Sequence, residues 1–210
     1  LRAIVAFAAY MGFIYCGFIQ WGFIHGTTAA TANESISPVA STPSELHFVN
    51  DIVPILTKAG CNAGVCHAKA GNGQNGFQLS LLGFEPAEDY SSLVKQGRGR
   101  RVFPASPEQS LLLLKATNKS PHVGGVRLTE DSQAYQTLLE WIRQGAPWGS
   151  DAAPELATID VQPPGGVIER GGQHQLKVVA QFTDGSSRDV TEIALFESND
   201  PAMAEVNQSG

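Results

Sequence analysis

The apolar positions between residues 129 and 144 repeat with the period of a helix. They follow the i, i+3, i+4, i+7 spacing that places side chains on one helix face: Tyr135, Leu138, Leu139 and Ile142. Gly145 and Pro147 come directly afterwards, and both residue types end helices. The pattern predicts an amphipathic helix from about residue 129 to 144.

Two shorter helices are predicted before it. Asp51 is placed to cap a helix that has Pro54 in its first turn and reaches Gly60, because a carboxylate accepts the free N–H groups at a helix start. Ser106 followed by Gln109 is typical of a capping box that opens a helix over residues 111–114. The glycine-rich run 71–76 predicts a turn into a strand over residues 77–82.

From residue 157 onwards the pattern changes to alternation, the period of a β-strand. Residues 159–161 and 175–182 are predicted strands, and Asp184-Gly185 predicts a hairpin turn after the second one. Residues 149–156 separate the two patterns as a linker. We therefore expect a mainly α domain over residues 45–148 and an all-β domain over residues 157–210.

The first 44 residues predict export. Residues 3–24 are almost wholly apolar, and about 20 such residues can span a bilayer. Ala30-Thr31-Ala32 also resembles a signal-peptide processing site. Residues 1–25 are therefore interpreted as a signal anchor or signal peptide, and an uncleaved helix in the inner membrane is slightly favoured. Residues 26–44 are interpreted as a flexible linker. We expect a periplasmic or cell-surface location.

Composition removes one class of function. The 210 residues carry a net charge of −6, with a pI near 5.3, which argues against a nucleic-acid surface. The three cysteines are too few for a disulfide scaffold, and one of them, Cys16, lies in the apolar segment. Neither paired carboxylates nor a Ser-His-Asp arrangement can be nominated, so we expect no enzyme activity from these residues themselves.

The remaining cysteines form the most informative motif, Cys61-x4-Cys66-His67. Covalent haem attachment needs two thiols, which add to the haem vinyl groups, and a histidine directly after the second cysteine as the proximal iron ligand. The common spacing between the cysteines is two residues, so the longer segment must loop out, which Gly64 allows. Two alternatives stay open: a Cys61–Cys66 disulfide in an oxidising compartment, and a structural zinc site completed by histidines.

The motif has a context that resembles a known family. Three parts of the sequence are together similar to the cytochrome c-like domain at the front of large planctomycete-type surface proteins. They are the segment from Phe48 to Leu56, the motif of Cys61, Cys66 and His67, and the segment from Leu139 to Trp148. The stretch 76–84 with residues 100–102 resembles the subgroup with widened cysteine spacing. The resemblance covers residues 45–148. It implies a haem c, an electron-transfer role with a redox partner protein, and further domains in a longer chain.

The ligand on the other face of the iron departs from that family. Ordinary members place a methionine before the last helix, but the two methionines here, Met11 and Met203, are badly placed for this. The corresponding loop contains His122, which we expect to be the distal ligand, with an exposed loop histidine as the alternative. Arg98, Arg100 and Arg101 form a basic cluster that either pairs with the haem propionates or, as we favour, belongs to a solvated loop.

The second domain has its own resemblance. Residues 168–172, 182–191 and 196–201 are similar to the bacterial immunoglobulin-like (group 2) repeat of surface adhesins. Such a sandwich needs more strands than residues 157–210 supply, so we expect it to be incomplete here. The prediction for the whole chain is an exported electron-transfer or redox-sensing module with covalent haem; the alternative is a non-redox adhesion module with a Cys61–Cys66 disulfide.

Overall fold

The computed structural model describes residues 2–4, 45–64 and 66–210. The predicted anchor and linker therefore lie, apart from residues 3 and 4, outside the described residues. Within the described parts, no helix is both long enough and apolar enough to cross a bilayer. Residues 45–210 all belong to one compact unit.

The helical part contains four short α-helices. They are α1 (Val53–Lys58), α2 (Pro86–Tyr90), α3 (Leu111–Ala116) and α4 (Gln133–Arg143). A π-helical turn, Phe48–Ile52, runs directly into α1, and a second, Ser91–Lys95, continues α2. Single 3₁₀ turns occupy much of the intervening chain: Lys69–Gly71, Leu81–Gly83, Gly97–Gly99 and Pro107–Gln109. The helices of this part are therefore joined by irregular backbone.

The periodic segment is confirmed as the longest helix, α4, but the shorter helices start differently from expectation. Asp51 lies inside the first π-helical turn, where its carboxylate accepts the His47 N–H at 2.7 Å. Ser106 makes no side-chain cap, and α3 begins after Ser110. Ser110 Oγ instead accepts the N–H of Phe103 at 2.9 Å. The Asp51 carboxylate therefore bonds four residues back along the chain, and the Ser106 side chain does not act as a cap.

The predicted strand over residues 77–82 was wrong. This stretch forms two isolated bridges, Ala68 with Leu79 and Gln74 with Phe77, and then a 3₁₀ turn. Buried Asp89 holds the turn in place, since its carboxylate accepts the N–H of Ser80 at 2.5 Å and the Ser80 hydroxyl at 2.6 Å. The apolar run therefore serves as a folded loop beside the Cys-His motif.

A single core holds the helical part together. Its fully buried members come from the π-helical turns and from α3 and α4: Phe48, Ile52, Leu93, Leu113, Leu138, Trp141 and Ile142. Phe48 contacts three aromatic rings, those of Tyr90, Trp141 and Trp148, at centroid distances of 5.1 to 5.7 Å. Burying side chains of this size supplies about 1.5–3 kcal/mol each, and this core fixes the ends of the chain segments that carry the candidate site.

The β part is a small antiparallel arrangement. Strands β2 (Leu156–Gln162), β3 (Lys177–Phe182) and β4 (Ser187–Asp189) form one sheet in that order. The predicted hairpin is confirmed, because β3 and β4 pair antiparallel across the Asp184-Gly185 turn. Strand β5 (Leu195–Glu197) pairs antiparallel with β1 (Arg2–Ile4). Val178, Ala180 and Phe182 of β3 are buried as alternation predicts.

Candidate functional site

Helix α1 delivers the chain to the cysteine motif. Its end is closed by the N–H of Cys61, which donates to the Leu56 carbonyl at 2.9 Å, and by Gly60 with a φ of 73°. The next residue, Asn62, is buried, and its amide donates to Thr57 Oγ1 at 2.8 Å. Gly64 has a φ of 52°, a left-handed conformation that glycine adopts without strain. The widened spacing is therefore accommodated by a turn at the predicted glycine.

Cys61 and Cys66 are both free, half-buried thiols. Burial raises the pKa of the Cys61 thiol to about 11, against the lowering influence of the nearby Arg127 charge. A thiol with so high a pKa stays protonated at neutral pH, so Cys61 is a poor nucleophile for disulfide exchange without help. Covalent haem attachment consumes the intact S–H group, which adds across a vinyl double bond.

His67 is held by Phe77 in two ways. Its Nδ1 lies 3.4 Å from the Phe77 carbonyl oxygen, and the two rings are 4.6 Å apart at 49°. Because a carbonyl only accepts, this contact favours the tautomer with the proton on Nδ1 and leaves Nε2 free as a ligand. Burial lowers the pKa of His67, with smaller contributions in the same direction from the charges of His122 and Arg101, so the neutral ring is favoured.

His122 is held in the same manner on the opposite side. Its Nδ1 lies 3.0 Å from the Gly125 carbonyl oxygen, again leaving Nε2 free. Its backbone N–H donates to the Asn118 side chain at 3.0 Å, and Lys115 donates to the carbonyl of Pro121 at 2.5 Å. Metal-binding histidines in general donate the other ring N–H to a carbonyl or carboxylate. Both histidines therefore have the environment of ligands.

The two imidazole rings lie close together and nearly parallel in the site. Their centroids are 6.3 Å apart and their planes differ by 5°. A ring nitrogen that binds a metal ion lies about 2 Å from the ion and roughly 1 Å from the centroid of its own ring. Two imidazoles that bind the same ion from opposite sides therefore have centroids about 6 Å apart. The separation of His67 and His122 therefore matches a shared metal ion between them.

A cavity of about 460 Å³ surrounds this pair, within the range of about 300–1,000 Å³ found for ligand pockets. All four predicted site residues line it: Cys61, Cys66, His67 and His122. Its apolar wall comes from α1, α3, the loop between α1 and α2, and the second π-helical turn: Leu56, Phe77, Leu93, Leu111 and Leu112. Segments that are distant in sequence thus converge on one apolar pocket with two facing imidazoles.

A bare ion and a porphyrin need different sets of donors from the protein. A structural zinc site needs four protein ligands, but across residues 2–4, 45–64 and 66–210 no three His, Cys, Asp or Glu side chains come together as a metal-binding group. A haem iron needs at most two axial ligands from the protein, because the porphyrin supplies the others. The paired imidazoles, the adjacent thiols and the apolar wall together fit a haem.

The charge of the cavity lining is one-sided. Four cationic residues line it, and no Asp or Glu does so among the residues described: Arg100, Arg101, Lys115 and Arg127. The whole chain, by contrast, carries a net charge of −6. Such a lining favours an occupant with anionic groups, and a haem carries two carboxylates.

Two tryptophans and one histidine of the helical part lie away from the cavity. Trp141 is completely buried in the helical core, where its Nε1 donates to the Pro147 carbonyl at 2.8 Å. Trp148 packs against Phe48 with centroids 5.7 Å apart. His47 contacts Trp148, and its buried Nδ1 has no partner within the described structure. None of the three is among the residues lining the cavity.

Two contributors to the site have no role in the sequence analysis. Phe77 orients His67 with its carbonyl and its ring. Gly124 leaves room for the His122 ring, since a Cβ at this position would lie 2.8 Å from His122 Cε1. The sequence offers a signal for Gly124 only, in the Gly-Gly pair directly after the candidate ligand.

Comparisons with protein-family models, with curated proteins and with solved structures found no match to this chain.

Proposed function

We propose that residues 45–148 are a c-type haem domain that carries electrons, or senses redox state, as part of an exported bacterial surface protein. His67 and His122 are the axial ligands, and Cys61 and Cys66 form the thioether bonds. When bound, the haem supplies one-electron chemistry, and the polypeptide sets the potential and the solvent access of the iron.

The observation that carries this proposal is the arrangement of the two histidines. Their rings are nearly parallel with centroids 6.3 Å apart, and each Nδ1 faces a backbone carbonyl. An exposed loop histidine has no reason to adopt this relation to the histidine of a Cys-His motif. Axial ligation by two histidines implies a lower reduction potential than ligation by histidine and methionine, because methionine raises it.

The two thiols belong to the same proposal. Each S–H group adds across one vinyl double bond, so that a C–S bond and a C–H bond form and no oxidant is needed. The half-buried, protonated Cys61 in the cavity wall suits this reaction better than exchange with other disulfides. The anchor over residues 3–24 and the periplasmic or surface location remain part of the proposal on the apolar run of the sequence alone. The incomplete immunoglobulin-like fold of residues 157–210 remains part of it on the sequence resemblance alone.

The test is a pyridine haemochrome spectrum of protein produced in a periplasm that contains haem-attachment machinery. The protein is denatured and extracted with acidic acetone to remove loose haem. We expect colour that stays with the polypeptide, and we expect it to vanish when Cys61 and Cys66 are both replaced by alanine. Cys16→Ala is the matched control and keeps the colour.

A colourless wild-type chain in which neither Cys61 nor Cys66 is a free thiol would overturn the proposal. That result would support the alternative, a non-redox adhesion module with a Cys61–Cys66 disulfide. Thiol titration of the same denatured sample separates these outcomes.

A further inference from the structure

The basic cluster of residues 98–101 is divided by the fold. Arg98 and Arg100 are exposed, whereas Arg101 is buried with 7% of its surface exposed. Arg101 also lines the cavity that contains His67 and His122. The expectation of a solvated loop therefore does not fit Arg101, which places a full positive charge in the wall of an apolar pocket.

The contacts of Arg101 hold its guanidinium firmly but leave its charge uncompensated. One Nη donates to the Ser92 carbonyl at 2.7 Å, and the other donates to the Gly76 carbonyl at 2.9 Å. The guanidinium also lies 4.6 Å from the centroid of the Phe77 ring. In the part of the chain that the structure describes, no carboxylate forms an ion pair with it.

An unpaired buried charge is costly, so buried arginines are in general paired with an anion. The neighbouring charged groups of the cavity are His67, His122, Arg100, Lys115 and Arg127, and none of these is acidic. The anion that Arg101 requires must therefore enter the cavity with its occupant. Arginine suits a carboxylate particularly well, because its planar N–H groups match the two oxygens.

We infer that Arg101 binds a carboxylate of the molecule that fills the cavity. The inference rests on the proposed function, under which this carboxylate is a haem propionate. The centroid of the Phe77 ring lies 4.6 Å from the guanidinium carbon of Arg101 and 4.6 Å from the centroid of the His67 ring. Arg101 thus anchors the anionic edge of the haem and supports, through Phe77, the residue that orients the proximal ligand.

The first experiment measures the reduction potential of the holoprotein by optical redox titration at several pH values. Arg101→Gln removes a positive charge beside the propionate, so we expect a lower potential than in the wild type. The potential changes with pH where the propionate gains or loses its proton. Without the positive charge of Arg101 this change should occur at a pH closer to neutral. Arg98→Gln, an exposed member of the same cluster, is the control and leaves both unchanged. Arg101→Lys, which keeps the charge, restores most of the potential.

An Arg101→Gln holoprotein with wild-type potential and wild-type pH dependence would overturn the inference while leaving the haem proposal intact. Absence of covalent haem in the wild type would overturn both. If Arg101→Gln does not fold, the wild-type protein is used to test the inference. Its haem carries ¹³C-labelled propionate carboxyl groups, and infrared difference spectra follow the protonation of each propionate. We expect one propionate to stay ionised well below the pH at which the other is protonated. Two propionates that protonate together would contradict the inference.

Discussion

His67 and His122 present parallel rings to one another, with 6.3 Å between centroids and 5° between planes, although one follows α1 and the other follows α3. Each is oriented by a backbone carbonyl, from Phe77 and Gly125 respectively. These carbonyls belong to loops that the helical core positions. The relative orientation of the two rings is therefore set by backbone as well as by side chains.

Replacing His122 with alanine tests the distal ligand. We expect the low-spin optical spectrum of the holoprotein to change to a high-spin one, because the iron loses its sixth ligand while both thioethers keep the haem attached. The variant then binds carbon monoxide in its reduced form. His174→Ala, in the β part, is the control. An unchanged low-spin spectrum of His122→Ala contradicts the assignment.

Gly124 is expected to control the position of His122. A Cβ at residue 124 would lie 2.8 Å from His122 Cε1 and 3.2 Å from its Nε2. Gly124→Ala should therefore displace the ring and yield a mixture of low-spin and high-spin haem, measured by absorption and electron paramagnetic resonance. Gly165→Ala, where a Cβ would meet nothing within 4 Å, should leave the spectrum unchanged. A fully low-spin Gly124→Ala protein would show that the loop adjusts freely.

Asp89 gives a prediction for the pH dependence of stability. Burial raises the pKa of Asp89, and the hydrogen bonds from Ser80 only partly oppose this. A carboxyl whose folded pKa exceeds its unfolded value stabilises the protein below the unfolded pKa and loses that contribution as pH rises through the folded pKa. Asp89→Asn removes the titration but keeps groups that can bond Ser80.

We therefore compare the free energy of unfolding of the wild type with that of Asp89→Asn. We expect the wild-type value to fall relative to the variant as the pH rises from below about 4, the ordinary pKa of an aspartate, through the raised pKa of Asp89 in the folded protein. Urea unfolding of both proteins across this pH range measures the difference. A difference that does not change with pH would contradict the prediction.

Arg188 connects the β part to the start of the helical part. Its guanidinium forms an ion pair with Asp51 and donates to the Asn50 carbonyl at 2.9 Å. Because Arg188 is 41% exposed, we expect Arg188→Ala to cost no more than about 1 kcal/mol of unfolding free energy. We also expect limited proteolysis to cleave residues 149–156 faster in Arg188→Ala than in the wild type. Lys177→Ala, which breaks the exposed pair with Asp189 inside the β part, is the control.

Local sequence pattern was sufficient to predict the helices and strands that depend only on residues close together in the chain. Helix α4 follows from its apolar spacing, and the β3–β4 hairpin follows from alternation around Asp184-Gly185, because both depend on neighbouring residues. The helices after Asp51 and over residues 111–114 are present, but the caps assigned to Asp51 and Ser106 and the strand over residues 77–82 were predicted wrongly. Asp51 pairs with Arg188, and Ser80 bonds Asp89; both partners lie outside the local pattern.

The sequence by itself determined the chemistry of the candidate site: two thiols followed by a histidine, and a histidine where the resembled family has methionine. Only the tertiary structure decided that His67 and His122 lie close together with nearly parallel rings, that Phe77 orients the first of them, and that Arg101 is buried while Arg98 is not. The physical reason is that residue types and spacings are properties of the chain alone. Burial, ring orientation and unpaired charge depend instead on which distant segments the helical core brings together.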